Sequence, residues 1–402
     1  MEDVVIVGGG PAGSTTALAL VQARPELASR IVILEKARYP REKPCAGALG
    51  ERGDALLRAL GVSVDVPSVR IDGMSFRSAE AEACASPGRI GRVVRRIEFD
   101  HALARLVASR GVRVRDGAPV LAVRDEGDQG VAVDTPDGWL RARVVVGSDG
   151  VGSIVRKALG LGAGSLRAQV VEVDTEEVPG DRDRSLLHFD ASDRRLAGYA
   201  WDFPTLVDDR PLFCRGVYRL RLDGDRAEGP DVAALLDARL RRQGIDPSRC
   251  KNKRYAERGY EPTSLVARGG LMLVGEASGI DPVTGEGIAQ AIEYGTLAGR
   301  FLARHLDRSA GDGPGGVDAW QDEVARSRLA RDLRIRTAFL RFFYGTARPE
   351  IERLMTSGPD AIQVGCRHFA AHPQDLWQVA EVVALGATRL LSWKIAQALS
   401  GG

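Results

Sequence analysis

The chain contains 402 residues, of which 44% are hydrophobic and 27% are charged, and its formal net charge at pH 7 is +2. These proportions are typical of a soluble globular enzyme with two or three domains. No uninterrupted apolar run is long enough to cross a bilayer, which excludes a protein that spans a membrane with helices. Nothing in the charge pattern favours binding to nucleic acid.

The five cysteines are odd in number and scattered, without the spacing of metal ligands, so we expect reduced thiols in a cytoplasmic protein. The histidines are also spread along the chain. His368 and His372 are four residues apart, but Pro373 limits that helix and no third ligand is nearby, so we predict no metal site. The first strand follows the initial residues directly and leaves no room for a signal peptide.

The N-terminal segment predicts a dinucleotide-binding unit. A run of β-branched residues at 4–7 is typical of a buried parallel strand, and an apolar, Ala- and Leu-rich helix extends through about Val21. A GxGxxG motif lies between them, where glycines permit a tight turn and the helix N-terminus favours phosphate. The residues expected to hold the diphosphate are Gly8, Gly10, Pro11, Ala12, Gly13 and Ser14.

A second predicted strand, residues 31–34, ends in Glu35, about 20 residues beyond the glycines, where an acid accepts hydrogen bonds from ribose hydroxyls. From Lys36 to Gly50 two prolines and several glycines exclude a helix. We expect a long loop at the carboxyl edge of the sheet, where ligands bind in such folds. Cys45 in this loop is either a small apolar filler or a residue near the reactive end of a cofactor.

The next part of the chain alternates between predicted helices and predicted extended segments. We predict short helices at residues 51–62 and 98–107, and extended segments at 66–77, 92–96, 112–114 and 131–133. A buried strand at 142–146 then runs into Gly147-x-Asp149-Gly150 and a new helix. Asp149 is placed to accept hydrogen bonds from ligand hydroxyls, and the alternative is an ordinary turn with a helix cap.

Residues 166–262 predict a β-rich domain with one helix at 231–243. Within it, Tyr199, Trp201 and Phe203 occupy alternate positions, which places all three on one face of a strand. That face belongs either to the core or to the aromatic wall of an apolar substrate cavity.

The chain then returns to the first domain with a strand at 270–274, followed by Gly275 and Glu276. The turn that follows leads into a helix through about Leu306, and the partial positive charge at its N-terminus would stabilise an anionic ring such as a reduced isoalloxazine. The residues of this turn are Pro282, Thr284, Gly285, Glu286, Gly287 and Ile288.

A glycine-rich linker at 310–316 precedes a C-terminal part that we expect to be helical to the end, including an apolar segment at 376–391. The first helical stretch, 317–345, carries many arginines, Arg336 among them. We favour a packed helix with a solvated arginine face over a helix on a membrane surface.

Three separated segments together resemble the FAD fingerprints of flavoproteins with the p-hydroxybenzoate hydroxylase fold. They are the glycine motif with Glu35, Gly147-x-Asp149-Gly150, and Gly275-Glu276. Arg96-x-x-Phe99-Asp100 resembles the helix start that contacts flavin in that group. The resemblance implies an α/β fold: a Rossmann-type FAD-binding domain at 1–165, an inserted β-sheet substrate domain at 166–262 to which 66–95 contributes, a return to the first domain at 263–306, and a C-terminal helical region at 317–402.

Within this fold the chain resembles the geranylgeranyl reductase family. Lys43-Pro44-Cys45-Ala46-Gly47 is similar to its Lys-x-Cys-Gly-Gly loop, Tyr199-x-Trp201-x-Phe203-Pro204 to its substrate-cavity motif, and residues 282–288 to its third FAD segment. Ala46 stands where the family has glycine, and Glu276 replaces the aspartate that holds the ribityl chain.

The resemblance implies an FAD enzyme that NAD(P)H reduces transiently and that delivers hydride to the double bond of a small, apolar, prenyl-like substrate, which is free, lipid-dissolved or carrier-bound. The implied cofactor contacts are the residues of the three fingerprints together with Lys36, Cys45, Ala46 and Arg96. Cys45 is the candidate catalytic residue, for positioning or proton relay. The alternatives are a monooxygenase or halogenase that activates oxygen on the flavin, and a non-catalytic FAD-stabilised binding protein.

Overall fold

The computed structural model describes residues 1–221, 230–308, 316–345 and 347–370. Most of the predicted linker at 310–316, the apolar segment at 376–391 and His372 lie outside the described residues, as does the part of the predicted C-terminal region beyond Ala370. Within the described residues, no helix combines the length and the hydropathy that a membrane span requires.

The strands of these residues form three sheets. In chain order they are β1 (Glu2–Val7), β2 (Ile31–Glu35), β3 (Ala48–Gly50), β4 (Ser68–Ile71), β5 (Gly73–Arg77), β6 (Glu82–Ala85), β7 (Gly91–Val94), β8 (Arg113–Asp116), β9 (Ala122–Asp125), β10 (Val131–Thr135), β11 (Gly138–Gly147), β12 (Arg167–Thr175), β13 (Leu186–Asp190), β14 (Gly198–Val207), β15 (Arg210–Arg221), β16 (Lys253–Arg258), β17 (Ala267–Arg268) and β18 (Leu271–Leu273).

The α-helices of the described residues surround the sheets. In chain order they are α1 (Pro11–Ala23), α2 (Glu51–Ala59), α3 (Arg96–Ser109), α4 (Ile154–Ala158), α5 (Val232–Arg242), α6 (Ile288–Arg308), α7 (Ala319–Arg326), α8 (Arg328–Phe343), α9 (Arg348–Thr356) and α10 (Pro359–Ala370).

The first sheet contains the predicted dinucleotide-binding strands. Its order is β17-β18-β11-β1-β2-β8, with β10 beside β11 and β9 beside β10, and β1 runs parallel to both β2 and β11. Helices α1 and α6 pack directly on each other, which requires small residues. A Cβ atom at Gly295 would lie 2.3 Å from the carbonyl oxygen of Ala12, and one at Gly299 would lie 2.5 Å from that of Thr16. The predicted α/β fold is confirmed.

The second sheet, which we call the substrate sheet, has the order β16-β12-β15-β14-β13-β5-β6. The predicted strand at 66–77 is in fact two strands in different sheets, because β4 pairs with β7 in the small third sheet and β5 pairs with β13. The chain changes sheet at Asp72, whose N–H donates to the carbonyl of Ser185 at 2.7 Å. The alternation of side chains between the two faces continues through such a switch, so the sequence pattern alone does not reveal that the chain changes sheet.

The C-terminal helices pack against both larger sheets. Trp320 of α7 is fully buried, and its indole N–H donates to the carbonyl of Leu273 in β18 at 3.0 Å. Helix α10 packs on β5 and β6 of the substrate sheet and also reaches the third sheet, where a Cβ atom at Gly50 would lie 2.2 Å from the carbonyl oxygen of Phe369. The predicted solvated arginine face of α8 is wrong at Arg336, whose side chain turns inward to buried carboxylates because the loop before α6 packs against this helix.

Candidate active site

Glycine is needed at the positions of the first motif for two different reasons. Gly8 has φ +97°, and a Cβ there would lie 2.6 Å from the carbonyl oxygen of Ser148; one at Gly13 would lie 2.1 Å from the carbonyl oxygen of Gly8. At Gly10, by contrast, the nearest atoms are guanidinium nitrogens of Arg96 and Arg41, at 3.6 and 3.9 Å. Packing of the chain therefore requires Gly8 and Gly13, whereas Gly10 borders a space lined by two cations.

The start of α1 is built to receive an anion in that space. Gly10 is the N-cap and offers no side-chain cap, and Pro11 occupies the first turn. The first turn of the helix contains no acidic residue, and its first N–H groups and positive dipole end lie near these two guanidiniums, which are paired with Glu35 and Asp100. Ala12 and Ser14 are buried in this first turn, where the Ser14 hydroxyl donates to the carbonyl of Gly9 at 3.3 Å. Diphosphate is the ligand that such a site favours.

Glu35 is held at the end of β2 by backbone groups on both sides. Its Oε2 accepts from the N–H of Gly9 at 3.0 Å, and its Oε1 accepts from the N–H of Ala37 at 3.1 Å. Arg41 reaches back to the same carboxylate at 3.3 Å and to Asp100 at 3.0 Å. The acid is thus fixed beside the glycine motif, while the side chain of Lys36, next in the sequence, is exposed.

Arg96 is the first residue of α3 and pairs with Asp100 through two hydrogen bonds of 2.7 Å. Burial by itself lowers the pKa of the guanidinium, but the Asp100 carboxylate outweighs it and raises the pKa. Arg96 therefore stays charged where it points toward both Gly10 and Cys45.

The three predicted fingerprint segments meet in space. A Cβ at Gly8 would contact Ser148 of the second segment, and a Cβ at Gly150 would lie 3.4 Å from Oε2 of Glu276 in the third. Gly275, with φ +60°, returns to the first segment, since its Cβ would lie 2.8 Å from that of Ala12. Segments far apart in the sequence thus surround one region at the carboxyl ends of β1, β11 and β18.

Two carboxylates in this region have acceptor atoms without partners. Oδ2 of Asp149 accepts from the N–H of Ile154 at 2.6 Å, but its Oδ1 is buried and has no hydrogen-bond partner among the described residues, and the same is true of Oε1 of Glu276. Burial raises the pKa of both carboxyl groups. Buried polar atoms are normally paired, so two orphaned acceptors fit a ligand with hydroxyl groups, as the ribityl and ribose parts of FAD have.

The loop before α6 is fixed by Asp281, which the sequence analysis missed. Its carboxylate accepts from the N–H of Val283 at 2.8 Å, and from the N–H and the hydroxyl of Thr284 at 3.2 and 2.5 Å. Gly285 has φ +66°, and the loop then passes through Gly287 to the start of α6 at Ile288. Aspartate at the first position of such a turn is a recognisable signal, so Asp281 could have been found from the sequence.

Arg336 of α8 was also missed, and no local signal marks it among the other arginines of its helix. It pairs with the Asp281 carboxylate and approaches Glu286 at 3.5 Å. Burial raises the pKa of Glu286 to about 7 even though Arg336 opposes the shift. The C-terminal helix α8 therefore contacts the third FAD segment.

Cys45 lies beside the substrate sheet. Its N–H donates to Oε1 of Glu172 at 3.0 Å, and its sulfur accepts from the N–H of Gly47 at 3.4 Å. The other oxygen of Glu172 accepts from the hydroxyl of Tyr255 at 3.0 Å. Burial raises the pKa of the Cys45 thiol despite nearby Arg96, so the group is a neutral thiol at pH 7. Neighbouring Ala46 packs against the hydrophobic cluster of the substrate sheet.

The aromatic segment of β14 is joined to the third FAD segment. The ring of Tyr199 stacks on Tyr218 with a centroid distance of 5.2 Å, and their hydroxyls donate to the carbonyls of Thr284 and Pro282. The indole of Trp201 is only 2% exposed, because it lies on Gly216, where a Cβ would come within 2.2 Å of the ring.

Phe203 is also buried, at 5% exposure, and its ring centroid lies 5.2 Å from that of Phe189. Trp201 and Phe203 thus belong to a packed aromatic face, and Tyr199 links that face to the FAD segments. Their role in a substrate cavity stays a prediction.

Comparisons with known proteins agree with this geometry. The family described as "FAD binding domain" matches residues 1–326. A digeranylgeranylglycerophospholipid reductase of Methanothrix thermoacetophila is 27% identical, covering 95% of this chain and 99% of its own. A menaquinone reductase of Mycobacterium tuberculosis is 28% identical, covering 76% of this chain and 78% of its own.

The fold is shared with a geranylgeranyl bacteriochlorophyll reductase-like protein of Thermoplasma acidophilum, at a TM-score of 0.71, 19% identity and 97% coverage of both chains. Solved flavin-dependent halogenases and hydroxylases have a similar fold as well. The resemblance to geranylgeranyl reductases that the motifs indicated is confirmed by these relatives. The chain belongs to the FAD-binding-domain family and is an FAD-dependent oxidoreductase that is similar to geranylgeranyl reductases.

Proposed function

We propose that this enzyme reduces carbon–carbon double bonds of an apolar, prenyl-like substrate. The proposal rests on the contact between the aromatic face and the third FAD segment, which Tyr199 and Tyr218 make through hydrogen bonds from their hydroxyls. An apolar substrate beside these rings would lie next to the residues that hold the flavin. The names of the reductases among its relatives support the same reaction class.

FAD supplies two-electron chemistry when it is bound. The protein contributes the rest: the start of α1 and Arg96 bind anionic parts, Asp149 and Glu276 accept from hydroxyls, and the aromatic face excludes water. We propose NAD(P)H as a transient reductant because the described residues hold one dinucleotide-binding unit, which FAD takes. We also propose that the enzyme acts in the cytoplasm on a substrate that is free, dissolved in lipid or bound to a carrier.

An oxygen-activating hydroxylase or halogenase is the second candidate, since enzymes of both kinds share the fold. Turnover with geranylgeranyl diphosphate or menaquinone and NADPH under oxygen-18 separates the two. A reductase gives a product without the label, whose mass has increased by two hydrogen atoms. A product that carries the heavy oxygen atom, or a halogen when bromide or chloride is added, would contradict the proposal.

A further inference from the structure

Glu257 lies on the same face of the substrate sheet as the aromatic segment. In antiparallel pairing, directly opposed residues share a face. Tyr199 opposes Tyr218, Tyr218 opposes Val170, and Val170 opposes Tyr255. Glu257 is two residues beyond Tyr255 on the edge strand β16 and therefore points to the same side. One face thus carries an apolar aromatic half and, toward β16, a half with acidic groups.

The carboxyl group of Glu257 packs against the third FAD segment. A Cβ atom at Gly285 would lie 2.7 Å from its Oε2, so the carboxyl rests directly on the backbone of that turn. This Oε2 is buried and has no hydrogen-bond partner among the described residues. The other acids on this face differ: both oxygens of Glu172 accept hydrogen bonds, from Cys45 and Tyr255, and Asp174 is paired with Arg95 and Lys253. Glu257 is therefore the acid with an open position beside the flavin-binding loop.

The surroundings of Glu257 favour its neutral form. Burial is the largest cause that raises its pKa well above the ordinary value, and the carboxylates of Glu276, Asp281 and Glu172 act in the same direction. Lys43 opposes them. The hydroxyls of Tyr199, Tyr218 and Tyr255 and the Cys45 thiol, which also face this carboxyl, have raised pKa values and are uncharged at pH 7. A carboxylic acid that keeps its proton at neutral pH can serve as a general acid.

We infer that Glu257 is the proton donor of the reaction. The inference rests on the proposed function, in which hydride from the reduced cofactor adds to one carbon of the substrate double bond. As the π bond breaks, the other carbon takes the proton of Glu257, so that two C–H bonds form and the carboxylic acid becomes a carboxylate. Solvent then returns a proton to the carboxylate, and NAD(P)H restores the two electrons to the cofactor. Cys45 keeps a positioning role.

The test compares the wild-type holoenzyme with Glu257→Gln, and with Glu177→Gln as a control that makes the same chemical change at an exposed position. Infrared spectra at pH 7 should show a protonated carboxyl band that Glu257→Gln lacks and Glu177→Gln keeps. In anaerobic single turnovers with geranylgeranyl diphosphate, Glu257→Gln should slow reoxidation of the reduced flavin by about 100-fold, the usual contribution of a general acid, at unchanged FAD content. In the wild type the same rate should fall as the pH rises through the pKa of Glu257.

The possible outcomes separate the role of Glu257 from the proposed function. A Glu257→Gln variant that keeps all of the protonated carboxyl absorption of the wild type, or that has the wild-type rate, overturns the role of Glu257 and leaves the proposed function intact. If the wild-type flavin is not reoxidised by geranylgeranyl diphosphate or by menaquinone, the proposed function fails, and the donor role fails with it. Should Glu257→Gln not bind FAD, the wild-type band and pH profile decide, and a rate independent of pH overturns the role.

Discussion

Arg336 of α8 forms an ion pair with Asp281, a residue 55 positions earlier that fixes the turn before α6. Because Asp281 is buried and the side chain of Glu286 is only 10% exposed, this guanidinium compensates two carboxyl groups that have little contact with solvent in the third FAD segment. The relationship ties the C-terminal helix α8 to the predicted third FAD segment, a contact that the sequence of the helix does not reveal.

Replacing Arg336 by alanine should therefore destabilise the protein and weaken FAD binding together. Removing one partner of a buried ion pair costs about 3–5 kcal/mol, since the other charge stays buried without compensation. Thermal unfolding and the FAD content of the purified protein measure the two effects. Arg331→Ala, an exposed position on the same helix, is the control and should change neither. Equal behaviour of the two variants would show that Arg336 does not hold the loop.

Glu286 should make the stability depend on pH. Its pKa in the folded protein is raised to about 7 from the ordinary 4.5, so the folded state binds more protons than the unfolded state between these values. The contribution of Glu286 to the free energy of unfolding should accordingly fall as the pH rises from about 4.5 to 7, by up to about 3 kcal/mol.

Glu286→Gln lacks this titration, so denaturant unfolding across that pH range should show a flatter profile for the variant than for the wild type. Parallel profiles would contradict the shifted pKa of Glu286. Glu177→Gln, at an exposed position, is the control and should reproduce the wild-type slope.

The two kinds of glycine in the first motif should respond differently to alanine. Gly13→Ala places a methyl group 2.1 Å from the carbonyl oxygen of Gly8 and should prevent stable folding even without FAD. Gly10 has φ −75° and no atom of the chain within 3.5 Å of its Cβ position among the described residues, so Gly10→Ala should fold.

The methyl group of Gly10→Ala would stand in the space where the diphosphate is expected, and FAD content should fall at least tenfold. Circular dichroism and flavin absorbance separate folding from binding. A Gly10→Ala variant with full FAD content would place the diphosphate elsewhere.

Trp201 should matter for stability more than for catalysis. Truncation of a buried tryptophan costs about 3–5 kcal/mol, so Trp201→Ala should lower the free energy of unfolding by that amount in denaturant titrations. Trp139→Ala is the matched control, because its side chain is 50% exposed and its ring lies against the Arg124 guanidinium; its cost should stay below about 1 kcal/mol. A stable Trp201→Ala protein with impaired turnover would instead assign the indole to the substrate cavity.

The sequence predicts that the three fingerprint segments meet, because each fingerprint is local. Gly8, Asp149 and Gly275 each follow a buried strand, and the carboxyl ends of parallel strands must meet at one edge of the sheet. The helices and strands around these residues are predicted from the periodicity of their hydrophobic residues.

The residues that the sequence analysis missed depend on tertiary contacts. In the sequence, Arg336 does not differ from the other arginines of α8, and only the packing of α8 on the loop directs it inward. Glu257 likewise has no distinguishing sequence pattern, and only the register of the sheet places it against Gly285. The split of 66–77 into β4 and β5 is invisible for the same reason, since partner strands decide it.

We propose that the enzyme saturates a double bond beside the flavin site, and the product of one anaerobic turnover tests this. The turnover is run in deuterium oxide with geranylgeranyl diphosphate and the photochemically reduced, FAD-loaded protein. We expect oxidised flavin and a prenyl product that has gained two hydrogen atoms, at least one of them deuterium bound to carbon. Flavin that stays reduced until oxygen is admitted, with the prenyl chain unchanged, would contradict it.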